Sequence, residues 1–286
     1  MSEEPRIKIL RLEENYAEFI LEGVTPAFAN TLRRIILSEV PTLAIDELII
    51  AENTSVLFDE VLAHRLGLIP LRVDLETYDY LRECYEEGKK ENCEVRFRLK
   101  AEAGERPVNV YSGHLKLQKP TQQIPVVPFD ISPVSDTILI VKLGPGQAVE
   151  LEARAKMGVG KDHAKWQPVS VAAYKYMPVI KILKDAGEEA EKCAEVCPKK
   201  VFEVKDGKLV VVRPLDCSLC RECEIKCPGV VKIGWRDNTF IFKVEGLGMI
   251  PVWKIIDVAF DVLVSKAETF RDSVSKLQSE SQSETL

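Results

Sequence analysis

The chain has 286 residues, 46% hydrophobic and 29% charged, which suits a globular protein with room for two domains and a small inserted module. Its formal charge of −6 excludes a protein whose affinity comes mainly from sheathing nucleic-acid phosphates, although membership of a larger nucleic-acid machine stays open. No apolar run reaches the length of a membrane span and MSEEPRIKIL lacks an apolar signal core, so a cytoplasmic protein without membrane contact is expected.

Residues 6–12 and 17–22 are β-rich and flank Glu13-Glu14-Asn15, the pattern of a hairpin. In GVTPAFANTLRRIILSEVP, Thr25 is an N-cap and Pro26 occupies the first helical position. Phe28, Leu32, Ile35 and Ile36 share one apolar face of this helix, and Pro41 stops it by Val40. Arg33 and Arg34 lie off that stripe. From about 46 to 180 the chain reads as mainly β, with IDELIIAE, CEVRFRLKAEA, VNVYSGHLKL, DTILIVKLG and VELEARAKMG as strands. One short helix is expected near Asp59–Leu66, and a surface loop around Ile124–Pro133. TFIFKVEGLG resumes as a strand with Phe240, Phe242 and Val244 on one face.

The last helix carries Ile256, Phe260, Leu263, Ala267, Phe270, Val274 and Leu277 at alternating steps of 4 and 3, a heptad seam. Two readings of that seam are open: a helix packed on its own sheet, or one facing a partner. The tail QSESQSETL lacks core-forming residues and reads as disordered.

Eight cysteines in a cytoplasmic chain favour metal binding over a secreted-type disulfide framework, hyperthermophile proteins excepted. CSLCRECEIKCPG, from Cys217, has the C-x2-C-x2-C-x3-C-P spacing of an iron–sulfur ligand run. A second, partial half holds Cys193 and Cys197-Pro198, with Gly187 and Ala190 at its two earlier positions. Between the halves, VFEVKDGKLVVV reads as a hairpin turning at Asp206-Gly207. The segment resembles a two-cluster ferredoxin, in which each half gives its fourth cysteine to the other cluster. Applied here, that crossover implies Cys197, Cys217, Cys220 and Cys223 as ligands of one 4Fe–4S cluster, with a 3Fe–4S form as an alternative. Zinc is the other candidate occupant. Cys193 and Cys227 are then left as a remnant second cluster site, joined in a disulfide or free.

EGVTPAFANTLRRIILSEVPTLAID, FDEVLAHRLGLIPL and AKMGVGKDHAKWQPV together resemble the alpha-like assembly subunits of RNA polymerase, most closely the archaeal D-type members. The resemblance covers nearly the whole chain. It implies an α+β architecture in three parts. A discontinuous dimerisation domain (1–46 and 233–279) comes from both chain ends; a β-rich domain (47–183) and a ferredoxin-like iron–sulfur domain (184–232) are inserted, and 280–286 is a disordered tail. It also implies that Phe28, Asn30, Leu32, Arg33 and Arg34 join the seam residues in binding a smaller alpha-like partner, subunit L. The pair would form a platform for the second-largest subunit and small zinc-bearing subunits, without sequence-specific DNA contact. Arg33 and Arg34 match the family's Leu-Arg-Arg motif; a solvated helix face is the plainer reading of them. Eukaryotic relatives carry a four-cysteine zinc loop where this chain has only Cys84 and Cys93, so no zinc is expected there and free thiols or a local disulfide remain.

His64-Arg65 matches a further family motif, although a packed helix turning at Gly67 accounts for it, and nothing nearby completes a nucleophile–base pair. GVGKDHAKW fails as a phosphate loop because Asp162 follows Lys161 where Ser or Thr is needed. Trp166 is either an interface anchor or a packed core residue. The resemblance implies a non-catalytic scaffold subunit of a nucleotidyltransferase complex, and no acidic metal-binding run places that chemistry in this chain. The alternative is a ferredoxin-type electron carrier.

Overall fold

The computed structural model describes residues 4–88, 93–118, 130–184 and 187–283. Strands β1 (Arg6–Leu12) and β2 (Tyr16–Glu22) lead into helix α1 (Pro26–Ser38) and strand β3 (Thr42–Asn53). Helix α2 (Asp59–Gly67), strand β4 (Leu71–Val73) and helix α3 (Leu75–Glu86) follow. Next come β5 (Val95–Glu102), β6 (Val108–Tyr111), β7 (Lys116–Leu117), β8 (Ile131–Pro133), β9 (Leu139–Leu143), β10 (Ala148–Gly158) and β11 (Val169–Ile182). The remainder comprises α4 (Ala190–Glu195), β12 (Phe202–Lys205), β13 (Lys208–Val211), α5 (Glu222–Lys226), β14 (Val231–Gly246) and α6 (Val252–Ser283). The class is α+β, as expected.

Two compact units divide the chain. The first comprises the residues up to Arg11, Glu18–Thr31 and Ala173–Lys243; the second comprises Leu12–Ala17, Leu32–Ala172 and Val244 onward.

The first unit is organised on the sheet β1-β2-β14-β11. Phe240 and Phe242 are fully buried, as their two-residue spacing predicts. The Phe19 ring stacks on Phe242 at 5.1 Å, and Tyr174 meets Phe240 edge-on at 5.3 Å. Such ring pairs add to what burial of their area contributes. Ile241, between the two phenylalanines, is buried as well. Alternation therefore gives way to a strand covered on both faces. At the start of α1, the Phe28 amide donates to Thr25 Oγ1 at 3.2 Å, satisfying one of the helix's orphan N–H groups.

In the second unit, strands order as β3-β10-β5-β7, with shorter pairs β4-β8 and β6-β9. The expected strand VNVYSGHLKL is broken by a 3-10 turn at Ser112–His114. Consequently β6 pairs with β9, whereas β7 pairs with β5. Of the loop expected at Ile124–Pro133, residues 124–129 fall outside the described residues, and Ile131–Pro133 is a strand. Helix α3 was not expected. Its cap is Asp74, whose Oδ1 accepts from the Thr77 amide at 3.0 Å. It buries Tyr78 and Leu81, and the Tyr78 hydroxyl donates to the Pro41 carbonyl at 3.0 Å. A disulfide joins Cys84, in α3, to Cys93, with Cα atoms 6.2 Å apart.

Two sequence motifs resolve into structural clamps within this unit. Arg65 donates from Nε to the Ile140 carbonyl (2.7 Å) and from Nη2 to the Leu139 carbonyl (2.6 Å), tying α2 to β9. Trp166 donates from Nε1 to the Lys156 carbonyl at 3.0 Å and lies flat over Gly158, where a Cβ would overlap the indole. Lys165 sits 4.3 Å from the centre of the Trp166 ring, a cation–π arrangement. The half-buried indole thus packs within its own unit.

The Gly158→Ala variant is expected to lose about 1–3 kcal/mol of stability, because the added methyl must displace the indole from a packed position. Urea denaturation followed by Trp fluorescence checks this; an unchanged midpoint would show that the ring can move aside freely.

Candidate docking face and cysteine module

Among the described residues, the buried side chains of helix α6 lie at its base. Val252, Ile255, Val258 and Ala259 are fully buried there. Three ion pairs reinforce that end: Lys254–Asp79 at 2.8 Å, Arg82–Asp261 at 3.0 Å and Lys266–Glu39 at 2.6 Å. Two of these partners, Asp79 and Arg82, come from α3, the helix that sequence reasoning missed. Its available signal was the Asp74–Thr77 capping pattern ahead of Tyr78 and Leu81.

The seam occupies a neighbouring stripe of α6. Ile256, Phe260 and Leu263 are half-buried, and Ala267 is exposed. Farther along, Phe270 is 72% exposed, Leu277 65% and Val274 40%. Among the described side chains of α6, none beyond Ala259 is buried. The helix itself runs to Ser283, into the stretch expected to be a disordered tail; residues 284–286 fall outside the described residues. Of the α1 candidates, Leu32 lies in the core at 0% exposure, together with Ala29, Ile35 and Ile36. Phe28, Asn30 and Arg33 are half-buried and Arg34 is exposed.

The cysteine module belongs to the first unit. Its hairpin β12-β13 turns at Asp206 and Gly207, both with positive φ (51° and 73°), which is the conformation a two-residue hairpin loop requires. Cys193 in α4 and Cys227 after α5 form a buried disulfide with Cα atoms 6.0 Å apart. Of the other four, Cys217 and Cys223 are buried, Cys197 is half-buried and Cys220 is exposed. Burial, followed by the neighbouring thiols Cys197, Cys217 and Cys220, pushes the Cys223 thiol up to about 11. Burial also raises Cys217. Leu219 and Arg221 bend the intervening loop through left-handed φ values of 60° and 61°. Lys175, from β11, donates to the carbonyls of Leu215 and Cys217 and so ties the module to the sheet of its own unit. Burial, and then Lys243, holds its amine below the usual lysine range.

Cluster or zinc ligation requires thiolates on one centre. No group of three or more His, Cys, Asp or Glu among the described residues is placed to hold a metal ion.

Comparison with known proteins supplies the family. Residues 48–204 match the family described as "RNA polymerase Rpb3/RpoA insert domain". The chain is 39% identical to "DNA-directed RNA polymerase subunit Rpo3" of Methanosphaera stadtmanae, over 94% of this chain and 98% of the relative. It is 37% identical to "DNA-directed RNA polymerases I and III subunit rpac1" of Dictyostelium discoideum, over 95% and 82%. The human RPAC1 of the same polymerases is 35% identical over 96% and 85%. Two expectations are corrected here. The relatives bear the names Rpo3 and RPAC1, so the D-type designation is replaced. Their names carry no cluster, and the structure offers no metal-holding group among its described residues, so the 4Fe–4S and 3Fe–4S assignments do not stand. No helix among the described residues is long and apolar enough to cross a membrane. With identity at this level over almost its full length, the chain belongs to the Rpb3/RpoA family of DNA-directed RNA polymerase subunits, alongside Rpo3 and RPAC1.

Proposed function

We propose that this polymerase subunit is a non-catalytic assembly scaffold that pairs with a smaller alpha-like subunit, of the kind called subunit L. The carrying observation is the exposed seam of α6, where Phe270, Val274 and Leu277 stand in water at heptad spacing. Apolar stripes of this kind mark surfaces meant for another protein. Phe28, Asn30, Arg33 and Arg34 of α1 supply a second set of contacts, and Arg in particular suits carboxylate or carbonyl acceptors on a partner. The pair then serves as a platform for the second-largest subunit and the small zinc-bearing subunits in a cytoplasmic enzyme, with DNA contacts left to other chains. In this role the chain comprises a dimerisation domain from both ends, an inserted β-rich domain and a small ferredoxin-like domain. The electron-carrier alternative loses its support, since the relatives are polymerase subunits over nearly their whole lengths.

Within the small domain, we assign the Cys193–Cys227 disulfide a structural role. A module of this size buries little core of its own, and a cross-link that shortens the unfolded chain contributes about 2–4 kcal/mol.

Two outcomes are expected. Phe270→Glu with Leu277→Glu should reduce co-purification of the small alpha-like subunit roughly tenfold, because charges on a buried seam cannot be desolvated cheaply. Thermal unfolding of the chain alone should not change, as both residues are exposed; undiminished co-purification would refute the seam as the docking face. Alkylation without reductant, read by mass spectrometry, should leave Cys193 and Cys227 unlabelled until a reductant is added, whereas exposed Cys220 is labelled at once. Early labelling of Cys193 and Cys227 would remove the disulfide.

A further inference from the structure

The first unit contains an open cavity of about 590 Å³ whose rim is strongly cationic. Lys175, Lys199, Lys200, Arg213 and Lys243 line it against one acid, Asp216. This concentration stands out in a chain of net charge −6. The cations arrive from separate segments: the turn after Cys197-Pro198, the turn after β13, and strands β11 and β14. Several are already fixed in place. Lys175 donates to two carbonyls of the module, and Arg213 donates to the Lys200 carbonyl from Nε (3.0 Å) and Nη2 (2.7 Å). Lys243 keeps 3.4 Å from Glu18, and Arg213 keeps 3.8 Å from Asp216.

Two acids do not balance five cations. The ammonium groups of Lys199 and Lys200 and the hydroxyl of Ser218 meet no partner among the described residues, although all three belong to the rim. Lys200 is held at φ 49°, with its carbonyl committed to Arg213, so the turn that presents both lysines has a set course. Tyr174 and Ile241 add apolar wall beside the charges.

We propose that this cavity binds a small polyphosphate anion, either as a bare polyphosphate chain or as the triphosphate of a nucleotide. Its volume lies within the range of about 300–1,000 Å³ typical of small-ligand sites, which is too small for a duplex. Cations spread over several segments match an anion with several phosphates better than a single carboxylate, and a recess with low-dielectric walls focuses their field. The apolar wall offers a nucleoside a place to lie. A long polyanion, by contrast, would have to run out over a chain whose remaining charge is negative.

The test is calorimetric titration of the full-length chain with tripolyphosphate and with ATP at 0.15 M KCl, where screening suppresses exposed charges beyond roughly 8 Å. Saturable 1:1 binding is expected for at least one of them. Lys199→Glu and Lys243→Glu should each weaken it tenfold or more, whereas Lys208→Glu, on the exposed hairpin away from the rim, should change it less than twofold. Lys199→Ala, which removes no bond present in the structure, should weaken it about threefold without altering the circular dichroism, separating loss of binding from loss of folding. Tighter binding of ATP identifies the nucleotide as the source of the phosphates, and equal binding identifies a bare polyphosphate. Absence of saturable binding by both, or equal losses at Lys208 and Lys199, overturns the proposal. So does displacement of both ligands by a single-stranded oligonucleotide or a glutamate-rich peptide at lower concentration, which would mark the rim as a macromolecular contact.

Discussion

Keeping apolar side chains in water is the cost that organises the second unit. A side chain such as Leu or Phe is about 1.5–3 kcal/mol better off fully buried than exposed, yet Phe270 and Leu277 remain exposed on a helix about 48 Å long. Such a helix needs a firm root, because none of its described side chains beyond Ala259 is buried. The buried face at Val252, Ile255, Val258 and Ala259 provides that root, and α3 reinforces it through Asp79 and Arg82. α3 is in turn fixed by the Tyr78 hydroxyl on the Pro41 carbonyl. Anchoring at the base keeps the apolar stripe in one orientation.

Much of this was legible in the sequence, and the exceptions have physical reasons. α1 was readable because its cap, its proline and its apolar spacing agree, and consistency among local signals is what makes a segment predictable. α6 was readable as a periodic helix, but periodicity alone could not separate the face buried by its own unit from the face left open. Here those faces are adjacent stripes. α3 was missed because LETYDYLRECYE mixes β-favouring Tyr and Thr with acids, so neither period dominates and only the Asp74 cap marks it. Arg65 and Trp166 were seen as motifs, but their partners, Ile140 and Lys156, lie far away or across a turn and could not be inferred.

The cysteine module shows the opposite case, in which a specific spacing led too far. Ligand spacing states which side chains a loop could bring to one point; it does not state where the fold places them. Here Cys217 and Cys223 pack into the module's apolar core, and among the described residues no group of three or more His, Cys, Asp or Glu is placed to hold a metal ion. The hairpin at Asp206-Gly207 was nevertheless anticipated correctly, because its signal is a local backbone demand and independent of any metal.

The division of the chain into interleaved units also bears on how the protein is made. Each unit is assembled from segments that lie far apart along the chain, and neither can be completed until residues near 243 and beyond have been synthesised. Contacts between distant segments form late, after their loop-closure entropy has been met. The sheet of the first unit must wait for β14, whereas β3, β10, β5 and β7 of the second lie within the contiguous run Leu32–Ala172. A prematurely terminated product has no second unit rooted by α6, so it cannot present the seam. The stripe of Phe270, Val274 and Leu277 is thus present only once α6 has been made.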